Sequence, residues 1–124
     1  MKIKIEIGDE VLKGELIESM NPETFAALVE ELPLEGKAQK WGKELYFRVP
    51  VNVELENEKR YVKKGEIGYW PEGNALCFFY GKTPGSPSEN KIKPATAVNV
   101  VGSFENPEKL EKFDGGVEVE IKED

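Results

Sequence analysis

The segment from Gly65 to Pro84 constrains the fold of this chain most strongly, because it joins two short apolar runs through one tight turn. The turn reads Pro-Glu-Gly-Asn at 71–74, and five of the chain's twelve aromatic residues lie within the segment. Apolar runs of this length on either side of a Pro/Gly/Asn turn are typical of a β-hairpin. We therefore predict an aromatic hairpin with strands at 60–70 and 75–80.

Strand signals recur along the rest of the chain. The segments beside Gly8-Asp9 alternate polar and apolar residues, as the last residues of the chain also do. Alternation of this kind indicates strands with one solvent-exposed and one buried face. A Gly-Asp pair between two such strands indicates a hairpin turn. The further strands predicted are 2–7, 10–18, 44–55 with a bend at Pro50, 97–101 and 117–121.

One helix is predicted over 21–32. Asn21 is a favourable N-cap, Pro22 suits the first helical position, and apolar residues follow at helical spacing until Pro33. A second, short helix is predicted to begin at Asn106. Two loops are predicted from their glycine and proline content, at 34–43 and 81–94.

Many short strands with one or two helices predict a mainly β protein, either an antiparallel barrel or a closed sandwich. A chain of 124 residues has the length of one domain. No repeat or linker divides it, so we expect a single domain over residues 1–124.

Composition excludes several classes of function. The net charge of −7 argues against nucleic acid or an anionic membrane as a partner, because both are bound through clustered lysine and arginine. A single cysteine excludes an internal disulfide, so we expect a cytoplasmic protein. Histidine is absent, which removes the usual general base and most zinc sites. We expect no cofactor and no metal site.

Glu54, Glu56 and Glu58 alternate along a predicted strand, which places their side chains on one face. Three carboxylates on one face are a candidate site for calcium or magnesium. In a chain this rich in glutamate, a solvated strand face is the interpretation that we prefer.

The aromatic residues are the candidates for ligand binding. Both faces of the predicted strand at 75–80 are apolar, so this strand either lies centrally in the core or lines a pocket with one face, and the sequence leaves both open. Cys77 has apolar neighbours and no histidine to activate it, so we expect a buried structural thiol. The candidate ligand-binding residues are Trp41, Tyr69, Trp70, Asn74, Phe78 and Phe79.

Arg48 is the candidate catalytic residue. It is one of only two arginines and lies in the apolar run Leu45–Pro50. Arginine is preferred over lysine where a planar donor of several hydrogen bonds is needed. The alternative is an ordinary charge on the outward face of a strand.

Four segments of the chain resemble a small prokaryotic family of uncharacterised proteins with a cyclophilin-like fold. Gly-Tyr-Trp-Pro at 68–71 is the most specific part of the resemblance. The resemblance implies a closed β-barrel of about eight strands with a helix that caps an opening. The four segments are Asn21–Phe25, Trp41–Phe47, Gly68–Cys77 and Gly81–Pro84.

Cyclophilins are peptidyl-prolyl cis-trans isomerases, and the resemblance places Arg48, within Tyr-Phe-Arg-Val at 46–49, where their catalytic arginine lies. Other positions of the cyclophilin pattern differ. Val53 stands where cyclophilins have phenylalanine, Glu56 stands where they have glutamine, and the histidine of their proline pocket has no counterpart. The resemblance therefore implies the architecture together with one catalytic position.

We expect a barrel that binds a peptide or small ligand without efficient isomerase activity. One alternative is a divergent isomerase, in which Trp70, Phe78 and Phe79 pack against the proline ring and Arg48 donates a hydrogen bond to the prolyl nitrogen. A second alternative is an accessory or assembly domain with a homo-oligomer or an enzyme subunit as partner, since cyclophilin-like barrels recur in multi-subunit amide-hydrolysing enzymes and a fold does not determine function.

Overall fold

The computed structural model describes all 124 residues and forms a closed, antiparallel, eight-stranded barrel. Around the barrel the strands follow the order β1-β2-β7-β5-β6-β4-β3-β8, and β8 pairs with β1 to close it. This confirms the predicted barrel of about eight strands. The strands are β1 Lys2–Ile7, β2 Glu10–Leu16, β3 Leu34–Lys40, β4 Glu44–Arg48, β5 Glu66–Trp70, β6 Ala75–Phe79, β7 Asn99–Phe104 and β8 Val117–Glu123.

The predicted capping helix is present as α1, Pro22–Glu30. Its Leu28 is completely buried in the same cluster as the side chains inside the barrel. The predicted short second helix is a 3-10 helix at Pro107–Lys112, and another single 3-10 turn lies at Pro71–Gly73. None of the helices has the length and apolar character that crossing a membrane requires.

Alternation along the strands fills the barrel interior. On β4, Leu45 and Phe47 point inward, and on the adjacent β6 Leu76 and Phe78 do the same. The rings of Phe47 and Phe78 lie parallel, with centroids 6.3 Å apart. Each such side chain contributes about 1.5–3 kcal/mol when it is removed from water.

A second, smaller cluster lies outside the barrel, against the outer faces of β6 and β7. Cys77 and Phe79 from β6 pack there with residues of two irregular segments that cover the sheet, and backbone hydrogen bonds of 2.8 and 3.1 Å join Val62 to Ile92 in those segments. Every residue of β6 is therefore buried. The two apolar faces of this strand have different neighbours, one inside the barrel and one beneath the covering segments.

Residues 34–43 are not simply the predicted loop, because 34–40 form β3, which pairs with β8 and β4. Its inward positions are Leu34, Gly36 and Ala38, which are mostly small. Gly36 lies against Phe47, whose ring would be 3.0 Å from any Cβ atom placed there. Because these inward residues are small, the sequence of β3 shows only a weak hydrophobic alternation, and the strand was predicted as a loop.

The strands predicted at 44–55, 60–70 and 97–101 have different bounds in the structure. The first ends at Arg48, the second begins only at Glu66, and the third is β7, which begins at Asn99. After β4, the N–H group of Val49 still bonds to the Asn74 carbonyl, and the chain then leaves the sheet at Pro50. Proline has no N–H group to donate to a ladder, so the sheet ends there.

The carboxylate of Glu56 caps α1. It accepts hydrogen bonds from the N–H groups of Glu23 and Thr24, at 3.1 and 2.9 Å, and from the Thr24 hydroxyl at 2.7 Å. Asn21 occupies the predicted N-cap position, but its side chain bonds instead to Val100 and Asn57. Glu56 is thus a half-buried cap of the helix, whereas Glu54 and Glu58 are exposed. The predicted strand face shared by the three glutamates is wrong, because none of them lies on a strand.

Candidate functional site

An apolar cleft of about 190 Å³ lies on the outside of the barrel. Strands β4, β5 and β6 supply its floor, and the segment 94–98 supplies the opposite wall. Six of its eight lining residues are hydrophobic, and the only one that carries a charge is Glu44. Four other depressions of the surface are larger than this cleft, and each has at most three hydrophobic lining residues.

The floor of the cleft follows from the alternation of β4. Since Leu45 and Phe47 point inward, Glu44 and Tyr46 point outward. Tyr46 is paired with Cys77 of β6, and its ring meets the ring of Trp70 edge to face, with centroids 6.1 Å apart and planes at 83°. This geometry is one that aromatic pairs prefer.

Trp70 is also held by a polar contact. Its indole Nε1–H group donates a hydrogen bond to the Thr96 hydroxyl across the cleft wall. The six-membered part of the indole ring packs on Gly73, where any side chain would overlap with it. The predicted Trp-Pro turn therefore fixes the orientation of the indole ring.

Trp41 reaches the cleft from the tight turn between β3 and β4. The backbone N–H group of Trp41 donates to the backbone carbonyl of Glu44 at 3.0 Å. Gly42, between the two residues, adopts a positive φ of 60°. Gly42 is also packed against the backbone of Thr83, where a Cβ atom would lie 2.8 Å from the Thr83 Cα. Glycine is therefore required here for both backbone conformation and close approach.

The long segment 81–94, predicted to be a loop, folds back on itself through a polar network. The Ser86 hydroxyl accepts hydrogen bonds from the N–H groups of Thr83 and Lys93, at 2.9 and 3.0 Å. The buried Thr83 hydroxyl donates to the Lys93 carbonyl. This network positions the next residue, Pro94, in the cleft wall.

Glu44 is the unusual group in the cleft. Its side chain lies in an apolar setting, the residue is only 5% exposed, and its Oε1 atom is buried without any hydrogen-bond partner. Burial raises the pKa of this carboxyl to about 7, and hydrogen bonding by the Cys77 thiol offsets only part of that rise. Near neutral pH, Glu44 therefore exchanges readily between its charged and neutral forms.

Cys77 borders the cleft as a buried thiol. Burial first, and the neighbouring Glu44 carboxylate second, hold the pKa of the thiol well above its usual range. The reactive form of cysteine is the thiolate, which this environment disfavours. The arrangement therefore provides no activated nucleophile.

The structure brings together two of the predicted site residues, Trp41 and Trp70, which both line the cleft. Tyr69 and Phe78 lie inside the barrel, and Phe79 lies in the outer cluster, all three fully buried. These three side chains have no free surface in this conformation.

Asn74 has a clear role in the backbone. It adopts a left-handed conformation with φ 47° at the end of the 3-10 turn, and its amide donates to the Val51 carbonyl and to the Tyr69 hydroxyl, each at 3.2 Å. The Tyr69 hydroxyl in turn donates to the same carbonyl at 2.6 Å. Tyr69 and Asn74 thus hold the segment after β4 against the hairpin by hydrogen bonds to Val51.

Arg48, the predicted catalytic residue, is exposed on the outer face of β4 and is not among the residues that line the cleft. Alternation places it on the same face as Tyr46 and Glu44, which lie two and four residues before it on the strand.

Glu44 and Tyr46 were missed as site residues by the sequence reasoning. The apolar Leu45 and Phe47 could have indicated that Glu44 and Tyr46 point outward. The pairing of Tyr46 with Cys77 could not be predicted, because it depends on the register between strands thirty-one positions apart.

Comparison with known proteins supports the family. The cyclophilin-like family model matches residues 1–122. This chain belongs to the cyclophilin-like family. A hypothetical protein from Archaeoglobus fulgidus, known from a solution structure, is 39% identical to this cyclophilin-like protein. The alignment covers 100% of this chain and 95% of the archaeal one, with a TM-score of 0.79. No curated protein gives a significant match.

Proposed function

We propose that this cyclophilin-like protein is a binding module that accepts a small ligand or a single group of a peptide in the cleft between Trp41 and Trp70. The observation that carries the proposal is an open aromatic cleft whose lining includes a buried carboxyl group with one oxygen, Glu44 Oε1, that has no hydrogen-bond partner. Ligand pockets typically combine apolar and aromatic walls with very few polar groups. The cleft has this composition.

The size of the cleft limits what it accepts. Pockets for drug-sized ligands measure about 300–1,000 Å³, whereas this cleft measures about 190 Å³. It therefore suits one ring or one branched group. What distinguishes this cleft from the larger depressions of the surface is its apolar lining, since six of its eight lining residues are hydrophobic and at most three are in each of the others.

Binding without efficient isomerisation is the form of the proposal that we favour. Rotation about an X-Pro bond crosses a barrier of about 18–20 kcal/mol. The resemblance to cyclophilins implies that Arg48 would lower this barrier by donating a hydrogen bond to the prolyl nitrogen. Arg48 lies outside the cleft lining, and the one indole N–H group of Trp70 is already engaged by Thr96. A proline ring in the cleft would therefore lack the arginine donor that the resemblance to cyclophilins assigns to Arg48.

Exchange NMR with short X-Pro peptides tests both parts of this proposal. We expect the indole signals of Trp41 and Trp70 to shift for peptides that bind, while cis–trans exchange stays at its uncatalysed rate. The Trp70→Ala variant should lose binding, and Arg48→Ala should keep it. Exchange peaks at substoichiometric protein that disappear in Arg48→Ala would establish the divergent isomerase instead.

A further inference from the structure

We propose that the cleft recognises an organic cation, an alkylated ammonium group, which sits among the rings of Trp41, Tyr46 and Trp70 and pairs with the carboxylate of Glu44. This inference rests on the proposed function, because it names the ligand class of the same cleft.

The aromatic lining of the cleft suits a cation. Three of the eight lining residues are tryptophan or tyrosine, the side chains whose ring faces attract cations most strongly. Tyr46 and Trp70 stand nearly perpendicular, at 83°, so they form two walls of a corner rather than a flat surface. Aromatic walls at an angle are the arrangement that surrounds a quaternary ammonium group in aromatic cages.

The Glu44 carboxylate, the one charged group in the lining, also favours a cation. A buried ionised group without a partner is unfavourable unless a charge or hydrogen bonds compensate for its lost hydration. Glu44 Oε1 has no such partner within the protein. A cation in the cleft would supply one, a neutral apolar ligand would leave the atom unpartnered, and an anion would be repelled.

The surroundings of Glu44 contain no resident counter-ion. No lysine or arginine lines the cleft, and the adjacent Lys43 forms an ion pair with Glu111 at 3.0 Å. The other titratable groups near Glu44 are Cys77, Tyr46 and Tyr80, none of which is cationic. The net charge of −7 adds a general attraction for cations.

This inference predicts a particular dependence on pH. A cation binds the ionised form of Glu44, so its affinity rises as Glu44 loses its proton. With a pKa of about 7, the ionised fraction increases roughly tenfold between pH 6 and pH 8. The competing arrangement, in which protonated Glu44 donates to a neutral carbonyl ligand, predicts the opposite slope.

Calorimetric titration with choline and its uncharged isostere 3,3-dimethylbutan-1-ol tests the inference. We expect choline to bind saturably at pH 8, roughly tenfold more weakly at pH 6, and more tightly than the isostere at pH 8. Glu44→Gln should remove both the preference for choline and its pH dependence. Glu72→Gln makes the same chemical change at an exposed position two residues from Trp70, and it should behave as the wild type.

Three results would overturn the inference: equal affinity for choline and the isostere at pH 8, a pH dependence that persists in Glu44→Gln, or no binding of choline. The indole NMR signals recorded alongside separate this failure from failure of the proposed function. Indole shifts with the isostere or with X-Pro peptides, but not with choline, would leave a binding cleft for neutral ligands. Where Glu44→Gln itself unfolds, the pH dependence of choline binding to the wild type still decides the question.

Discussion

Tyr46 and Trp70 meet edge to face on the outside of the barrel, with ring centroids 6.1 Å apart. They belong to β4 and β5, which are separated in the sheet by β6. The two side chains therefore reach toward each other across the intervening strand, where Cys77 lies. This contact gives the cleft two aromatic walls that both come from strands of the barrel.

Replacing Trp70 by alanine should weaken binding at least tenfold for any compound that shifts the indole signal of Trp41 in the wild type. The change removes one wall and the hydrogen bond to Thr96. Because Trp70 is only partly buried, the loss of stability should be smaller than the about 3–5 kcal/mol of a buried tryptophan. Titrations and thermal melts measure the two effects. Tyr61→Ala, at an exposed aromatic outside the cleft, is the matched control, and an unfolded Trp70→Ala protein would instead identify Trp70 as core.

Glu44 should make the empty protein less stable as pH rises from about 4.5 to 7. Its pKa is raised from 4.5 to about 7 on folding, so the folded state binds the proton more tightly than the unfolded state over that range, and this stabilisation is lost when Glu44 ionises. One pKa unit corresponds to about 1.4 kcal/mol, so the effect is roughly 3 kcal/mol. Urea titrations at pH 5 and pH 8 measure it. The difference between the two pH values should shrink in Glu44→Gln, and an unchanged difference would contradict the burial of an uncompensated carboxyl group.

Ionised Glu56 should stabilise the folded protein, unlike ionised Glu44, and this stabilisation should be lost at low pH. Burial tends to raise its pKa, but hydrogen bonds from the Thr24 hydroxyl and from the N–H groups of Thr24 and Glu23 outweigh this and hold the pKa below 4.5. Its stabilisation is therefore present above that value and lost as pH falls below it. Loss of a helix cap costs about 0.5–2 kcal/mol, so Glu56→Ala should lower stability at pH 7 by that amount. Glu54→Ala, at an exposed neighbour, should have little effect, and equal effects of the two changes would refute the capping role.

Tyr69→Phe should reduce stability without changing binding. The lost hydroxyl leaves the Val51 carbonyl with one donor fewer and removes an acceptor for Asn74, at a cost of about 1–3 kcal/mol. Chemical denaturation measures the loss, and titration of the folded variant measures affinity. A folded Tyr69→Phe protein with reduced affinity would show that Tyr69 contacts the ligand, as its place among the candidate ligand-binding residues implies.

The sequence predicted the class of fold because its local signals agree with the global arrangement. The turns at Gly8-Asp9 and at Pro-Glu-Gly-Asn form where their residues predict, and the strands beside each turn pair as hairpins. The strand that leads into the second turn is shorter than predicted. The prediction was wrong where tertiary contacts dominate local preference. β3 carries small inward residues because Phe47 fills the space beside Gly36, and a loop was predicted there.

The sequence predicted the two tryptophans of the candidate site but not Glu44 or Tyr46. Trp41 and Trp70 stand out as large aromatic residues beside turns, and both line the cleft. Glu44 looks like any other glutamate, because its burial depends on the register of β4 against β6 and on where the segment 94–98 lies. Such long-range placement leaves no mark on the residues nearby in sequence. The same reason explains why Glu56, rather than Asn21, caps α1 from more than thirty positions away.

Titration of the ¹⁵N-labelled protein with choline and with short X-Pro peptides shows whether the cleft binds a ligand. The chain contains only two tryptophans and both line the cleft, so their indole signals report on this site. We predict saturable shifts of both signals in the wild type. We predict no shifts in Ala95→Phe, which fills the mouth of the cleft from an exposed rim position and keeps every proposed binding residue. Indole signals that stay unmoved in the wild type, or that shift equally in Ala95→Phe, would contradict the account.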